Sequence, residues 1–421
     1  METGRPTLDA WMAEYEAIEN EYVESLEAQG IAFASPAAAD AVARRRERVA
    51  ALRERGVRSL NGGASLSHGF ISSACRACVG DCGSRTFYIN LKCHRGCYFC
   101  FNPNQVDYER HLGEDAPWRE AFEGFRAEVP EVTHVALTGG EPLLVKDKAL
   151  EFLAMVHDEE PQAHVRLYTS GSFFDEDFAR QARDLGLDEI RFSVKLDEGN
   201  ASIDETLAAL VLAREFIPAV MVEMPVIPGQ EEAMRRLLRR LDALGADGIN
   251  LLEFCFPLHN WEEFAKRGFR IKNPPFEVLY NYQYAGALPV AGSDEACLDL
   301  LEFALDEGLS LGVHYCTLAN KNIDAVLQVN RRYDLDPTLC ELGEDGFFHV
   351  GKAFDQDTDS VRAALDVADA PYVEDPDDGS IAFHPRWLEM VREVGAIPAR
   401  SVLTIEEPGD APYLRELKLT V

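Results

Sequence analysis

Three thiols fall within eight residues in Leu91-Lys92-Cys93-His94-Arg95-Gly96-Cys97-Tyr98-Phe99-Cys100, at CxxxCxxC spacing directly after a strand-like run. Three thiolates on one short loop can hold three irons of a 4Fe-4S cluster and leave the fourth iron open, whereas electron-carrier clusters usually take four cysteines. An open iron can bind and reduce something. The same spacing admits a zinc knuckle completed by His94 or by a distant fourth ligand.

At these residues the chain resembles the radical S-adenosylmethionine (radical SAM) superfamily, whose loop has this spacing and an aromatic residue, here Phe99, just before the third cysteine. Thr138-Gly139-Gly140-Glu141-Pro142 resembles the superfamily's GGEP element, which contacts the amino group of SAM. Alone, such a stretch is a turn in which glycine supplies positive φ; second after CxxxCxxC, it is specific. Tyr168-Thr169-Ser170-Gly171 and Ile190-Arg191-Phe192-Ser193-Val194-Lys195 resemble further elements of the same family. The two-residue period of a strand puts Arg191, Ser193 and Lys195 on one face. By resemblance, Ser170 belongs to the SAM site, and Ser193 and Lys195 are candidates for the ribose hydroxyls or carboxylate of SAM; the alternative is a buried Lys195 paired to Glu141 or Glu223. Val226-Ile227-Pro228-Gly229 resembles the stretch that lies by the adenine, Ile227 being the contact. The resemblance implies that SAM chelates the open iron, that an electron cleaves its sulfonium C–S bond, and that the 5'-deoxyadenosyl radical removes a hydrogen atom from a substrate. His94 and Arg95 support the loop.

Substrate-facing groups are sought at strand ends. Glu253 with Cys255, and His314 with Cys316, each share a strand face near a C-terminal end. Facing inward, either cysteine can donate a hydrogen atom or bind a second metal, and His314 or Glu253 can move a proton. The alternative is that the cysteines are small buried hydrophobes and His314 a hydrogen-bonded core residue. A second cysteine group, Cys75, Cys78 and Cys82, precedes the first strand, which puts it at the bottom of a barrel, about 20 Å of strand from Cys93. A helix after the last strand returns the chain to that face and delivers Cys340. Cys75, Cys78, Cys82 and Cys340 are therefore expected to form one site, either structural zinc or an auxiliary Fe-S cluster.

These residues need a scaffold. From Thr86 onward strand-like runs alternate with helical segments, the signature of parallel βαβ units. Eight strands are expected, at about Thr86–Leu91, His134–Thr138, Val165–Thr169, Glu189–Val194, Ala219–Val226, Gly248–Phe254, Ala287–Val290 and Leu311–Tyr315. The expected fold is α/β, a radical SAM TIM-like (β/α) barrel of eight parallel strands. Its active residues would lie at the strands' C-terminal ends. The expected organisation is an N-terminal helical region over 1–60, a cysteine-containing linker over 61–85, the barrel over 86–333 and a small C-terminal α/β extension over 334–421.

Composition bounds the function. The 421 residues are 47% hydrophobic, enough for a large core. A net charge of -32 argues against a nucleic-acid partner held by its phosphates, although a salt-rich cytoplasm or a high-GC genome produces the same lysine-poor surface. No apolar run of membrane-spanning length and no export-like segment is evident, so no membrane partner and a cytoplasmic location are expected. Six of the ten cysteines fall between Cys75 and Cys100, which fits cluster ligation better than disulfides. The chain reads as a radical SAM enzyme acting on a small molecule or a peptide, with a 4Fe-4S cluster, SAM and a reducing partner such as flavodoxin or ferredoxin. His314-Tyr315-Cys316, Lys321 and the Gln328–Arg332 segment resemble an uncharacterised group related to pyruvate formate-lyase activating enzymes. Glycyl-radical activation is one alternative; a non-catalytic Fe-S or SAM-binding protein is another.

Overall fold

The computed structural model describes residues 3–38, 40–257, 259–282, 287–407, 409 and 411–421. It divides into two compact units that do not follow the chain order: Ala38–Lys272 with Ala285–Lys321, and Met1–Ala37 with Asn273–Tyr284 and Asn322–Val421.

The first unit holds strands β1 (Arg58–Leu60), β2 (Ser65–His68), β3 (Ser84–Tyr88), β4 (His134–Thr138), β5 (His164–Thr169), β6 (Leu187–Phe192), β7 (Ala219–Val226), β8 (Gly248–Glu253), β9 (Cys255–Phe256), β10 (Leu288–Pro289) and β11 (Gly312–Cys316). The sheet order is β1-β2-β11-β8-β7-β6-β5-β4-β3, with parallel pairing from β3 to β11. A helix follows each of β4 to β8, as the alternation predicts, and the chain has the α/β barrel-like fold expected of it. The helix Glu231–Leu244 shows how the sequence does this. Met234, Leu237, Leu238 and Leu241 recur at helical spacing on its buried face, and Gly245 ends it with φ of 71°.

One expected strand lies elsewhere. Leu288 and Pro289 pair antiparallel with Phe256 and Cys255 in a separate two-stranded ribbon, so seven strands are parallel instead of eight. Proline cannot donate to a ladder, which confines it to such an edge. The place beside β11 is taken by β2, running antiparallel. Gly312 allows the chain to cross closely here, since a Cβ on it would stand 2.4 Å from the Phe70 carbonyl oxygen.

The inward face of this sheet carries a charge. Arg191 is buried, and its guanidinium donates to Glu189 and, at 2.6 Å, to Glu223. Asn250 donates through Nδ2 to Glu223 at 2.7 Å and accepts at Oδ1 from His314 Nδ1 across 2.9 Å, and His314 Nε2 meets Ser65 Oγ at 2.9 Å. The segment before β3 enters this network. Ser72 donates to Glu189, and the short helix Ser73–Ala77 that Ser72 caps brings the Cys75 sulfur to 3.3 Å from both Arg191 Nη2 and Asn250 Nδ2.

The second unit is an antiparallel sheet. Its strands β12 (Glu341–Leu342), β13 (Phe348–Ala353), β14 (Tyr372–Glu374), β15 (Ile381–Phe383), β16 (Ala399–Glu406) and β17 (Tyr413–Thr420) run in the order β14-β15-β13-β16-β17, with β12 also on β13. The helix α1 (Pro6–Glu27) belongs to this unit. Leu8 packs with Phe354, Ala399 and Leu419, and Arg5 makes a bidentate pair with Asp357 at 2.9 and 3.0 Å. The next helix, α2 (Ala41–Glu54), belongs to the first unit, where Arg45 pairs with Asp294 and Arg48 with Glu302.

Two outcomes follow. Truncating the fully buried Leu8 to alanine should cost about 2–5 kcal/mol. Hydrogen exchange in the Leu8→Ala protein should quicken in β16 and β17 and stay unchanged in β4 to β7. For Glu189, burial opposes the charge, but the His164 hydrogen bond and the Arg191 charge outweigh it and bring the pKa from 4.5 down to about 2. A depressed carboxylate stabilises fully above pH 4.5, and that contribution is lost as pH falls toward 2. Between pH 7 and pH 3, metal-free wild type should lose about 2 kcal/mol more unfolding free energy than Glu189→Gln. Equal losses in a denaturant titration would contradict the assignment.

Candidate cluster and cosubstrate site

The CxxxCxxC loop follows β3 and is closed by its own backbone. Cys100 N–H donates to the Cys97 carbonyl at 3.1 Å, and Arg95 N–H lies 3.4 Å from the Cys93 sulfur. Cys93, Cys97 and Cys100 stand near enough to feel one another's charge. Burial raises the Cys93 and Cys100 pKa values, while Lys195 draws both the other way. Among the described residues no three Cys, His, Asp or Glu side chains converge as they would on a single ion. Sulfurs around one zinc stand about 3.8 Å apart, from Zn–S bonds of about 2.3 Å. His94 is engaged away from the thiols, 3.2 Å from Ser172 Oγ and edge-on to Phe173 at 4.9 Å. Three soft thiols on one loop with an ammonium nearby fit an iron-sulfur cluster.

The GGEP element is zipped to that loop through main chain. Glu141 N–H donates to the Lys92 carbonyl at 2.7 Å and Gly140 N–H to the Asn90 carbonyl at 3.2 Å. Asn102, two residues past Cys100, donates to the Gly139 carbonyl at 2.7 Å. The glycines are required by this approach. A Cβ on Gly140 would sit 1.8 Å from the Lys92 oxygen, and Gly139 has φ of 118° with the Asn90 oxygen 2.6 Å from where its Cβ would be. Glu141 itself is buried and takes hydrogen bonds from Thr169 Oγ1, Ser170 N, Ser170 Oγ and Leu143 N at 2.6–3.1 Å. Its carboxylate is thus saturated by protein. Any contact of this element with an amino group falls to its backbone carbonyls, while Pro142 starts a short turn that buries Leu143.

The remaining SAM candidates gather around the same loop. Lys195 Nζ lies 5.3 Å from the Phe99 ring centre and donates to Ser193 Oγ at 2.7 Å. Glu141 and Glu223, the carboxylates that might have paired with Lys195, are held by other donors. Phe99 is edge-on to Tyr98 and Phe254, and Asn260 donates to the Tyr98 carbonyl at 2.8 Å. Arg95 bonds Ser202 and Ser172 at 2.8 and 2.9 Å and pairs with Glu198, so it ties the loop to the segments after β5 and β6. Ile227 is buried just past β7.

The groups expected at the substrate are all closed from solvent. His314 sits between Ser65 and Asn250, and burial with the Arg191 charge lowers its pKa to about 4, which keeps it neutral. Glu253 accepts from Leu318 N–H at 2.8 Å, and burial raises its pKa. Cys255 donates to the Glu253 carbonyl at 3.0 Å. Burial pushes Cys316 up to about 12. The cysteine group before β3 does not stay together at the barrel bottom: Asp81, beside Cys82, bonds Thr133 and His134 at the start of β4, whereas Ser72 to Cys78 climbs the inward face. Cys75 is buried against Arg191 and Asn250, and Cys78 and Cys82 are exposed. Cys340 belongs to the other unit, where its thiol donates to the Asp336 carbonyl at 3.4 Å beside Phe348 and Leu403. Thr169, Asn90, Asn102 and Asn260 were missed by the sequence reasoning. Only the closeness of Asn90 and Asn102 to the cysteine loop could have pointed to them.

Because Gly140 leaves no room for a methyl group, Gly140→Ala should force the GGEP element off the cysteine loop. Iron retention after anaerobic reconstitution should fall at least several-fold, with far-UV circular dichroism unchanged. Full iron retention would show that the two segments are not coupled as the structure has them.

Comparison with known proteins agrees with this geometry. The family model for the radical SAM superfamily matches residues 88–241. A protein of Methanocaldococcus jannaschii, provisionally named a glycyl-radical enzyme activating enzyme, is 26% identical over 341 residues, covering 77% of this chain and 84% of that one. The GTP 3',8-cyclase of Nautilia profundicola is 29% identical over 180 residues, or 42% of this chain and 51% of the cyclase. The chain thus spans about half the length of the cyclase. Among solved structures, anSMEcpe with bound AdoMet aligns at 13% identity and a TM-score of 0.38, over 63% of this chain and 73% of that one. With its three-cysteine loop inside the matched span, the chain carries a radical SAM domain and is similar to a protein named for an activating enzyme, which supports a radical SAM protein with a 4Fe-4S cluster and SAM as its cofactors.

Proposed function

We propose that the enzyme abstracts a hydrogen atom from a small-molecule or peptide substrate, with Cys93, Cys97 and Cys100 holding the cluster. The observation that carries this is the backbone zip between the cysteine loop and Gly139–Glu141. A bound cluster and SAM would supply one-electron reductive chemistry and the hydrogen-abstracting group. The chain's own residues position and shelter that chemistry. The backbone carbonyls of the GGEP element would hold the amino group of SAM, and Lys195 and Ser193 would take its carboxylate or ribose hydroxyls. Ser170 fixes the GGEP element through Glu141, and Ile227 would lie by the adenine. Tyr98, Phe99 and Phe254 pack edge-on as an aromatic wall beside Cys97 and Cys100. Cys316, His314, Glu253 and Cys255 are all buried and hydrogen-bonded, which supports keeping them out of direct contact with the substrate.

A flavodoxin or ferredoxin in the cytoplasm is the proposed electron source; no helix among the described residues is long and apolar enough to cross a membrane. A second reading, activation of a glycyl-radical protein, is favoured by the name of the Methanocaldococcus relative.

The test is anaerobic reconstitution with iron and sulfide, reduction with dithionite in the presence of SAM, and chromatography for 5'-deoxyadenosine. Wild type should form it and Cys97→Ala should not. Lys195→Ala should keep its iron and bind SAM at least tenfold more weakly. Deoxyadenosine from both wild type and Cys97→Ala would remove the loop from the reaction. A stable glycyl radical seen by electron paramagnetic resonance in a co-expressed partner would favour the second reading.

A further inference from the structure

Three thiols outside the CxxxCxxC loop share one place in the first unit. Cys316 ends β11, and its sulfur lies 3.5 Å from Asn320 Nδ2. The Cys78 sulfur lies 3.5 Å from the same nitrogen, so the two sulfurs are within about 7 Å of each other. Asn320 is buried, and its orientation is fixed: Oδ1 accepts from Asn61 Nδ2 at 2.7 Å, which turns its NH2 group toward the two sulfurs. Cys75, one helical turn before Cys78, accepts from Arg191 Nη2 and Asn250 Nδ2. Cys75 and Cys78 are both close enough to Cys316 to act on its charge, and Lys321 acts on Cys316 in the opposite sense.

Each of these sulfurs therefore faces N–H donors, and two cationic side chains lie beside the set. Hydrogen bonds of this kind to sulfur are how proteins tune the sulfurs of Fe-S centres. A structural zinc would need its ligands drawn onto one point, which no three such side chains among the described residues do. Cubane ligands stand further apart, around four irons instead of one.

We propose that Cys75, Cys78 and Cys316 hold a second iron-sulfur cluster inside the barrel of the first unit. This set differs from the expected four cysteines in having Cys316 in place of Cys82 and Cys340. Like the first cluster, it has three protein thiols and one iron open to a further ligand. Cys255, which feels the Cys316 charge, donates its thiol to the Glu253 carbonyl and is left out.

The test uses the full chain with Cys93, Cys97 and Cys100 replaced by alanine, so it does not depend on SAM chemistry. Reconstituted anaerobically, this protein should retain about four irons and four sulfides. It should lose them on adding Cys75→Ser or Cys316→Ser, and keep them on adding Cys82→Ser or Cys340→Ser. Asn320→Asp keeps the acceptor for Asn61 but removes both N–H donors, and should lower the reduction potential of the remaining cluster. In case Cys316→Ser does not fold, wild type gives a separate readout by alkylation and mass spectrometry. Cys78, exposed in the metal-free chain, should become protected on loading, whereas exposed Cys82 should not. No iron in the triple variant, one zinc without sulfide, or iron retention that depends on Cys340 or Cys82 would overturn the proposal.

Discussion

A guanidinium buried on the inward face of a parallel sheet has to be neutralised where it stands, and in this chain Arg191 sets that requirement. Glu189 and Glu223 supply the charge, and Ser72, Asn250, His314, Ser65 and Cys75 complete the hydrogen bonding around it. Removing one partner from such a set leaves a buried charge and costs on the order of 3–5 kcal/mol. Replacing the whole set with apolar side chains is often neutral, so stability alone does not account for it. What the network does is fix positions. It draws the segment before β3 up the sheet, locks His314, and makes the barrel interior a place where thiols meet donors.

The chemistry of the first site was legible because it is local in sequence. Cys93, Cys97, Cys100 and Gly139 to Pro142 are short motifs, and the seven parallel strands announce themselves as strand-like runs alternating with helical segments. Leu288-Pro289 failed this reading because two apolar residues before a helix look the same in a barrel strand and in an edge ribbon. Cys75 and Cys78 failed it for a different reason. Their place was inferred from where they fall along the chain, and nothing in five helical residues signals that the segment climbs toward Arg191. Single asparagines such as Asn102 and Asn320 carry no periodicity at all, yet both decide which backbone or sulfur faces which.

The two cysteine sets are built on opposite principles. Around Cys93 the scaffold is main chain: carbonyls of Asn90 and Lys92 meet the N–H groups of Gly140 and Glu141, and side chains enter only to pin the result. Backbone contact of this closeness tolerates only glycine, which makes the first site rigid in sequence as well as in space. Around Cys75 and Cys316 the scaffold is side-chain amide and guanidinium, so its geometry depends on charge balance.

The pairing of α1 with the antiparallel sheet bears on how the chain is made. Arg5 meets Asp357 across 352 residues of sequence, and Leu8 packs on Leu419. At about 5–20 residues per second, a ribosome needs roughly 20–70 s to reach Asp357 after releasing Arg5. During that interval the first unit can fold while α1 waits with its apolar side uncovered, a task that falls to a chaperone or to the exit surface of the ribosome.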